Sequence, residues 1–330
     1  MVPQNDYYYD LSNKEDVTWQ ASLSKESGVY GWGIYHYWFN NETNLLTKPA
    51  EIIYENADID INYFYAWDNG NWKRSWSNVK GGNAWAPAME NTKEHKGPEI
   101  LVPYILGVEP DWRNHYDYLL PYFRDVRYIK KDNCPLFTIF HYSQEIEQMC
   151  FCWNKWAKED GFDGIHFIFR YSKSEEVKGD FTYFKYEPIY SGWSNLSLKD
   201  RILLKFRKII NRCELNTYTY DSVWKSILRN AKKDVSSCMY HGAFVSYDDS
   251  PRRGLRGIEV TEANAQKFSM YFKQLIDISA EQGKEFIFLT AWNEWGEGAY
   301  LEPDKSNGNS YLQALKRVLI DEKNSTNKGF

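Results

Sequence analysis

No stretch of this 330-residue chain approaches the roughly 20 consecutive apolar residues that a bilayer-spanning helix needs. The opening stretch, Met1 to Asp10, is polar and aromatic, without the basic and apolar regions of a secretory leader. A cytoplasmic protein with no membrane span is therefore expected. Nor is positive charge in excess. The net charge is −5, acids and bases are interspersed and there is no basic stripe, which argues against nucleic acid as a partner. Five cysteines are odd in number and irregularly spaced, and Cys150 and Cys152 form C-x-C rather than C-x-x-C. They read as reduced structural thiols. No G-x-G-x-x-G or P-loop marks a dinucleotide or nucleoside triphosphate site. No His/Asp/Glu group has metal-ligand spacing. Neither metal nor other cofactor is expected.

What the chain has in quantity is aromatic rings: 14 Trp, 26 Tyr and 18 Phe. Most must fill the core. Many, however, stand in polar company, as in Tyr35-His36-Tyr37-Trp38-Phe39-Asn40 and Trp67-Asp68-Asn69-Gly70-Asn71-Trp72. Apolar faces edged with hydroxyls, amides and carboxylates suit a sugar ring, so the expected partner is an oligosaccharide or polysaccharide.

The coarse pattern alternates helix and strand. Helical stretches fall at Lys14 to Glu26, Lys48 to Asn56, Asp111 to Phe123, Gln144 to Glu159, Leu198 to Cys213, Ser222 to Lys232, Ala263 to Gln282 and Ser310 to Lys323. Strand patterns occupy Val29 to Tyr35, Ile59 to Trp67, Ile100 to Ile105, Pro135 to His141, Gly164 to Arg170, Ser237 to Val245 and Glu285 to Thr290. Such alternation predicts a parallel α/β sheet. The polar, aromatic clusters follow the strands, where active sites of (β/α)8 TIM-type barrels sit. No linker divides the chain, so residues 1–330 read as a single catalytic barrel domain with a loop insertion at about 68–97. The strand count is seven, one short of a closed barrel, and the first nine residues, with Pro3, make a poor strand.

The last strand runs into Ala291-Trp292-Asn293-Glu294-Trp295-Gly296-Glu297-Gly298. Glycoside chemistry needs two carboxyls in different protonation states, one to protonate the leaving oxygen and one to act as base or nucleophile. Burial beside Trp292 and Trp295 would raise one of the two, Glu294 or Glu297. On spacing alone a second reading stands beside this one: the glutamates pair with Arg252, Arg253 or Arg74 and tie loops together.

The sequence resembles the WbsX-like family, which belongs with glycoside hydrolase family 99, the endo-α-mannosidase type. The resemblance is carried by several blocks in order: Tyr35-His36-Tyr37-Trp38-Phe39, Ala66 to Trp76, His115-Tyr116-Asp117-Tyr118-Leu119, Arg127-Tyr128-Ile129 ahead of Cys134-Pro135-Leu136-Phe137, Asp248 to Gly254 and Ala291 to Asp304. It spans about Tyr7 to about Leu319, and its last block is highly specific. It implies a (β/α)8 barrel acting on polysaccharide. The position matching Glu297 is then the general acid/base, and that matching Glu294 a base acting on the sugar's own 2-hydroxyl, giving a 1,2-anhydro intermediate and net retention. Two departures stand out. The family's strand and Trp-rich loop ahead of Tyr7 are absent, in agreement with the count of seven. Asp68 and Gly70 replace residues of an Ala-Asn-Glu run usual in relatives.

Further contacts to the glycan are expected from His36, Tyr37, Trp38, Trp67, Asn69, Arg252, Trp292, Asn293 and Trp295. For His36 a satisfied core histidine is an equal reading. Loop packing rivals a stacking role for Trp67 and Asn69, and pairing within the protein is favoured for Arg252. The leading functional reading is a retaining, endo-acting glycoside hydrolase on bacterial or host polysaccharide. The alternatives are a glycosyltransferase of O-antigen or capsular polysaccharide biosynthesis and a non-catalytic glycan-binding barrel.

Overall fold

The computed structural model describes residues 1–73, 100–172, 181–194, 202, 216–254 and 257–326. Apart from Ile202, the helical stretch expected at Leu198 to Cys213 lies outside them, as do most of the insertion at 68–97 and Arg74. Helices α1 (Lys14–Glu26), α2 (Lys48–Glu55), α3 (Glu109–Arg124), α4 (Gln144–Glu159), α5 (Tyr220–Lys233), α6 (Ala265–Glu281) and α7 (Ser310–Thr326) fall where the periodicity places them. Their starts have local causes. The Asn13 side chain accepts from the Glu15 amide at 2.9 Å, Ser143 caps α4, and Asn264 accepts from Lys267 at 2.9 Å.

The strands are β1 (Gly31–Asn40), β2 (Asn62–Trp67), β3 (Cys134–Ile139), β4 (His166–Arg170), β5 (Thr182–Phe184), β6 (Met239–Phe244) and β7 (Ile287–Thr290). They form one parallel sheet in sequence order, each strand beside the next, so their carboxyl ends lie at one end of the fold. Short antiparallel strands, Thr43–Leu45 on β1 and Lys130–Lys131 on β3, are added to it. The sheet is curled. Phe288 of β7 meets Phe64 of β2 at 5.9 Å and Phe184 of β5 at 4.9 Å across its concave face. Among the described residues no ladder joins β7 to β1. Ring contacts Tyr30–Phe286 at 6.3 Å and Trp32–Trp292 at 6.1 Å span that seam.

Among the described residues the parallel strands number seven, as in the sequence reading, but the membership differs. Ile100–Val102 pairs antiparallel with Trp72–Lys73 in a separate ribbon. Pro103 follows at once and can donate to no ladder, and Ile100, Leu101 and Ile105 are exposed. The fifth strand, Thr182–Phe184, lies in a stretch that reads as irregular in the sequence, because three residues carry no measurable period.

Strand parity decides what reaches the mouth. In β1, Trp32, Ile34, His36 and Trp38 alternate with Gly33, Tyr35 and Tyr37. His36 and Trp38 pack on His115 and Tyr118 of α3, and so face the helical layer. Tyr35 meets Phe140 at 5.5 Å and faces the concave side.

Candidate active site

Beyond β7 the chain turns back on itself. Asn293–Glu294 pairs antiparallel with Ala299–Tyr300, and the turn Trp295–Glu297 lies between them. Glu294 ends the first arm and Glu297 ends the turn, so one small hairpin carries both. Two glycines permit this. Gly298 has φ +60°, a left-handed conformation, and a Cβ there would sit 3.0 Å from the Asp248 amide nitrogen. A Cβ on Gly296 would lie 3.2 Å from Glu294 Oε1 and 3.6 Å from Arg252 Nη1. The bare backbone at 296 is therefore the ground over which the carboxylate and the guanidinium lie.

The loop after β6 locks onto this hairpin. The Asp248 amide donates to the Glu297 carbonyl at 2.7 Å, and Ser246 Oγ donates to the Gly298 carbonyl at 2.6 Å. One helical turn, Ser250–Arg253, then presents Arg252, whose Nη2 donates to Glu297 Oε1 at 2.6 Å. Asp249 holds that turn: its buried carboxylate accepts from the Ile258 amide at 2.6 Å and pairs with Arg253 Nε at 3.1 Å. Of the two considered cations that are described, Arg252 meets the pair and Arg253 is engaged by Asp249.

Tyrosines form the adjoining surface. Tyr35 and Tyr37 stack with centroids 5.8 Å apart, and the Tyr35 hydroxyl lies 3.0 Å from that of Tyr186, which follows β5. Burial pushes the Glu294 carboxyl up from its ordinary range, the charge of Glu297 adds to this, and Arg252 opposes it. The phenols of Tyr35, Tyr37 and Tyr186 are also pushed up, mainly by burial, with Glu294 contributing to each. These groups are thus close enough to shift one another.

Behind the hairpin stands Glu302. Its Oε2 accepts from Trp295 Nε1 at 2.5 Å and from the Tyr9 hydroxyl at 2.9 Å, and burial pushes its carboxyl up to about 7. The Trp295 ring stacks on Tyr300 at 3.8 Å. Trp295 therefore anchors the turn from behind. Trp292 packs toward Trp32 at the seam, and its carbonyl accepts from the Leu301 amide at 2.9 Å. Asn293 is in reach of the Tyr9 hydroxyl.

The remaining sequence candidates take another position. His36 is only 3% exposed; its Nε2 meets His115 Nε2 at 2.8 Å, and burial pushes its imidazole down to about 3. Of its two readings, the core histidine is the one this geometry supports. Trp38 stacks on His115 at 4.5 Å, and buried Trp67 donates from Nε1 to the Trp38 carbonyl at 3.0 Å. Asn69 clamps His141 through two bonds, donating to its carbonyl at 2.7 Å and accepting from its amide at 2.8 Å. The expected convergence of Trp38 and Trp67 with Arg252 and the glutamates is thus corrected by strand parity. Arg252, Glu294 and Glu297 come together with Tyr37, while the two tryptophans lie at the same end of the sheet but turn to the helical layer. Sequence reasoning passed over Tyr35, Tyr186 and Glu302. Tyr35 was findable as the same-face neighbour of Tyr37.

Comparison with known proteins follows the same lines. The family described as Glycosyltransferase WbsX matches residues 1–315. WxcX of Xanthomonas campestris pv. campestris strain B100 is 22% identical over 323 residues, covering 96% of this chain and 43% of the relative, and WxcX of strain ATCC 33913 gives the same figures. The chain thus spans under half the length of these relatives. Among solved structures, the GH99 endo-alpha-mannosidase from Bacteroides thetaiotaomicron superposes with a TM-score of 0.61 at 14% identity, covering all of this chain and 85% of that one. A structure described as a glycoside hydrolase-like protein superposes with a TM-score of 0.61 at 11% identity, over 96% and 89% of the two chains. These neighbours share the fold. By its match over nearly the whole length, the chain belongs to the WbsX glycosyltransferase family.

Proposed function

We propose that this protein is a carbohydrate-active enzyme that breaks glycosidic bonds at Glu294 and Glu297, as a retaining, endo-acting hydrolase of polysaccharide. The observation that carries this reading is the hairpin itself. It presents two carboxyls in unlike surroundings, Glu294 pushed up by burial and Glu297 held by Arg252, at the carboxyl ends of a parallel sheet. Following the family resemblance, Glu297 protonates the leaving oxygen while Glu294 takes the proton of the sugar's 2-hydroxyl. That oxygen attacks the anomeric carbon, and water opens the resulting 1,2-anhydro ring with the two roles reversed. This assignment places two demands on the site. Burial favours the neutral form of Glu294, which must be ionised to take the 2-hydroxyl proton. Arg252 also donates to Glu297 Oε1 in the free protein, and that ion pair must open as glycan enters for this oxygen to reach the leaving group.

The second reading, transfer in the assembly of a surface polysaccharide, is favoured by the family's description as a glycosyltransferase. Products from a panel of oligosaccharides and nucleotide sugars separate the two. Shortened glycans of retained anomeric configuration support hydrolysis, and elongated acceptors formed only with nucleotide sugars support transfer. A 2-deoxy substrate cleaved as fast as its parent would exclude attack by the 2-hydroxyl.

A further inference from the structure

A second set of charged groups lies on the same mouth, beyond the tyrosines. Asp68 follows β2, His141 follows β3 and Arg170 ends β4, so three neighbouring strands deliver them to one end of the sheet. The Arg170 guanidinium carbon stands 5.2 Å over the Phe140 ring, and Phe140 in turn touches Tyr35 at 5.5 Å and Tyr186 at 5.7 Å. Tyr37 feels the charges of both Asp68 and Glu294. This group therefore adjoins the glutamate pair across one layer of rings.

Asp68 and Arg170 flank Phe140 without forming an ion pair. Among the described residues no carboxylate comes within 4.0 Å of the Arg170 guanidinium, although its charge acts on Asp68 against the upward push of burial. His141 Nε2 stands 3.9 Å from Asp68 Oδ1, and burial, with the charges of Arg170 and Lys73, pushes its imidazole down. Trp67, Ile139 and Phe169 share one register row, and Asp68, Phe140 and Arg170 are the residues that follow them, so an acceptor and a set of donors stand on either side of the Phe140 ring. A carboxylate accepts and a guanidinium donates, so adjacent hydroxyls, each both donor and acceptor, satisfy the two at once. The charge balance limits the ligand further. Among the described residues Glu294, Glu297 and Asp68 are matched by Arg252, Arg170 and Lys73, whose charge acts on His141, so this mouth has no surplus positive charge for an acidic sugar.

Resting on the carbohydrate reading of this mouth, we propose that Asp68 and Arg170 form a subsite beside the glutamate pair that grips adjacent hydroxyls of a neutral sugar ring. Phe140 and Tyr37 supply ring faces beside it. The subsite sets which sugar is accepted and leaves the chemistry to the hairpin.

Saturation-transfer NMR on the whole chain tests this, with D-mannose, D-glucose, D-galactose, L-rhamnose and D-glucuronate as probes. At least one neutral sugar should receive saturation from the wild type, and its affinity should fall about tenfold or more in Asp68→Asn and in Arg170→Lys. Thermal melts identify variants that fail to fold, and the near-isosteric Asp68→Asn keeps the test open if the arginine variant does. Glucuronate binding best, and losing affinity with Arg170→Lys, would overturn the proposal in favour of an acidic-sugar site. Neutral sugars that bind all three proteins alike, or none that bind the wild type, would overturn it as well. The same titration in Glu297→Gln keeps the two claims apart. Neutral-sugar binding that depends on Asp68 and Arg170 in a protein that neither cleaves nor builds glycans would leave the subsite standing and remove the hydrolytic reading. Turnover with a KM indifferent to both substitutions would do the reverse.

Discussion

Two stretches of this chain look alike in the sequence. Tyr35 to Asn40, with Trp67 to Asn69, and Trp292 to Gly298 are both rich in tryptophan, edged with polar groups and set at the ends of strands. In the fold they part company. The hairpin of the second stretch puts two glutamates beside Arg252 and a surface of tyrosine hydroxyls. In the first stretch, His36, Trp38 and Trp67 turn to the helical layer, where they bind each other and His115. The difference is one of parity. A β-strand sends alternate residues to opposite faces, so moving one position along β1, from His36 to Tyr35 or Tyr37, is the step from helical layer to mouth.

That contrast can be broken by mutation. The largest stability effect belongs to the core-facing stretch. Trp67→Ala should cost about 3–5 kcal/mol of unfolding free energy, as expected for a buried aromatic. A denaturant melt that stays within about 1 kcal/mol of wild type would mean that Trp67 is not a packing residue.

Acid and base should act on the two regions with opposite sign. Burial pushes His36 down to about 3, against an unfolded value of about 6.5. The unfolded chain then takes up a proton that the folded chain refuses, so this contribution is present above about pH 6.5 and is lost as pH falls below it. Glu302 is the reverse case. It is pushed up to about 7 from about 4.5, so its neutral form is favoured in the folded state, and stability is lost as pH rises from about 4.5 to 7. Melts across this range should show His36→Gln flattening the acid limb and Glu302→Gln the neutral one. Parallel profiles for wild type and either variant would contradict the burial that the structure assigns to that group.

The smallest expected effect on stability is at Gly296. An added methyl would crowd Glu294 Oε1 at 3.2 Å, so Gly296→Ala should slow turnover about tenfold by displacing the carboxylate while changing the melt by less than about 1 kcal/mol. Unchanged turnover would show that the placement of Glu294 over that glycine is unimportant.

Much of this was open to reading from residue order. Helices with a 3.6-residue period and full-length strands stand out, and the Glu294–Glu297 hairpin is contiguous, so its chemistry survives without knowledge of the fold. What could not be read depends on facing. In Tyr35-His36-Tyr37-Trp38-Phe39 every position is aromatic, so the two-residue period that normally separates an apolar face from a polar one carries no contrast. The junction of Tyr186 with Tyr35 joins residues 151 positions apart. Thr182–Phe184 is too short to show a pattern, whereas Ile100–Val102 has the apolar composition of a core strand but lies exposed beside Pro103.

The most direct test of the account is to measure turnover and melting together for Glu294→Gln and Glu297→Gln on the glycan that the panel identifies. If the hairpin is the catalytic centre, each substitution lowers turnover about a hundredfold or more, the melt stays within about 1 kcal/mol, and an activated aryl glycoside rescues Glu297→Gln but not Glu294→Gln. If both variants instead lose stability in step with activity, the glutamates and Arg252 are a clamp between loops, and the claim that this hairpin does the chemistry is wrong.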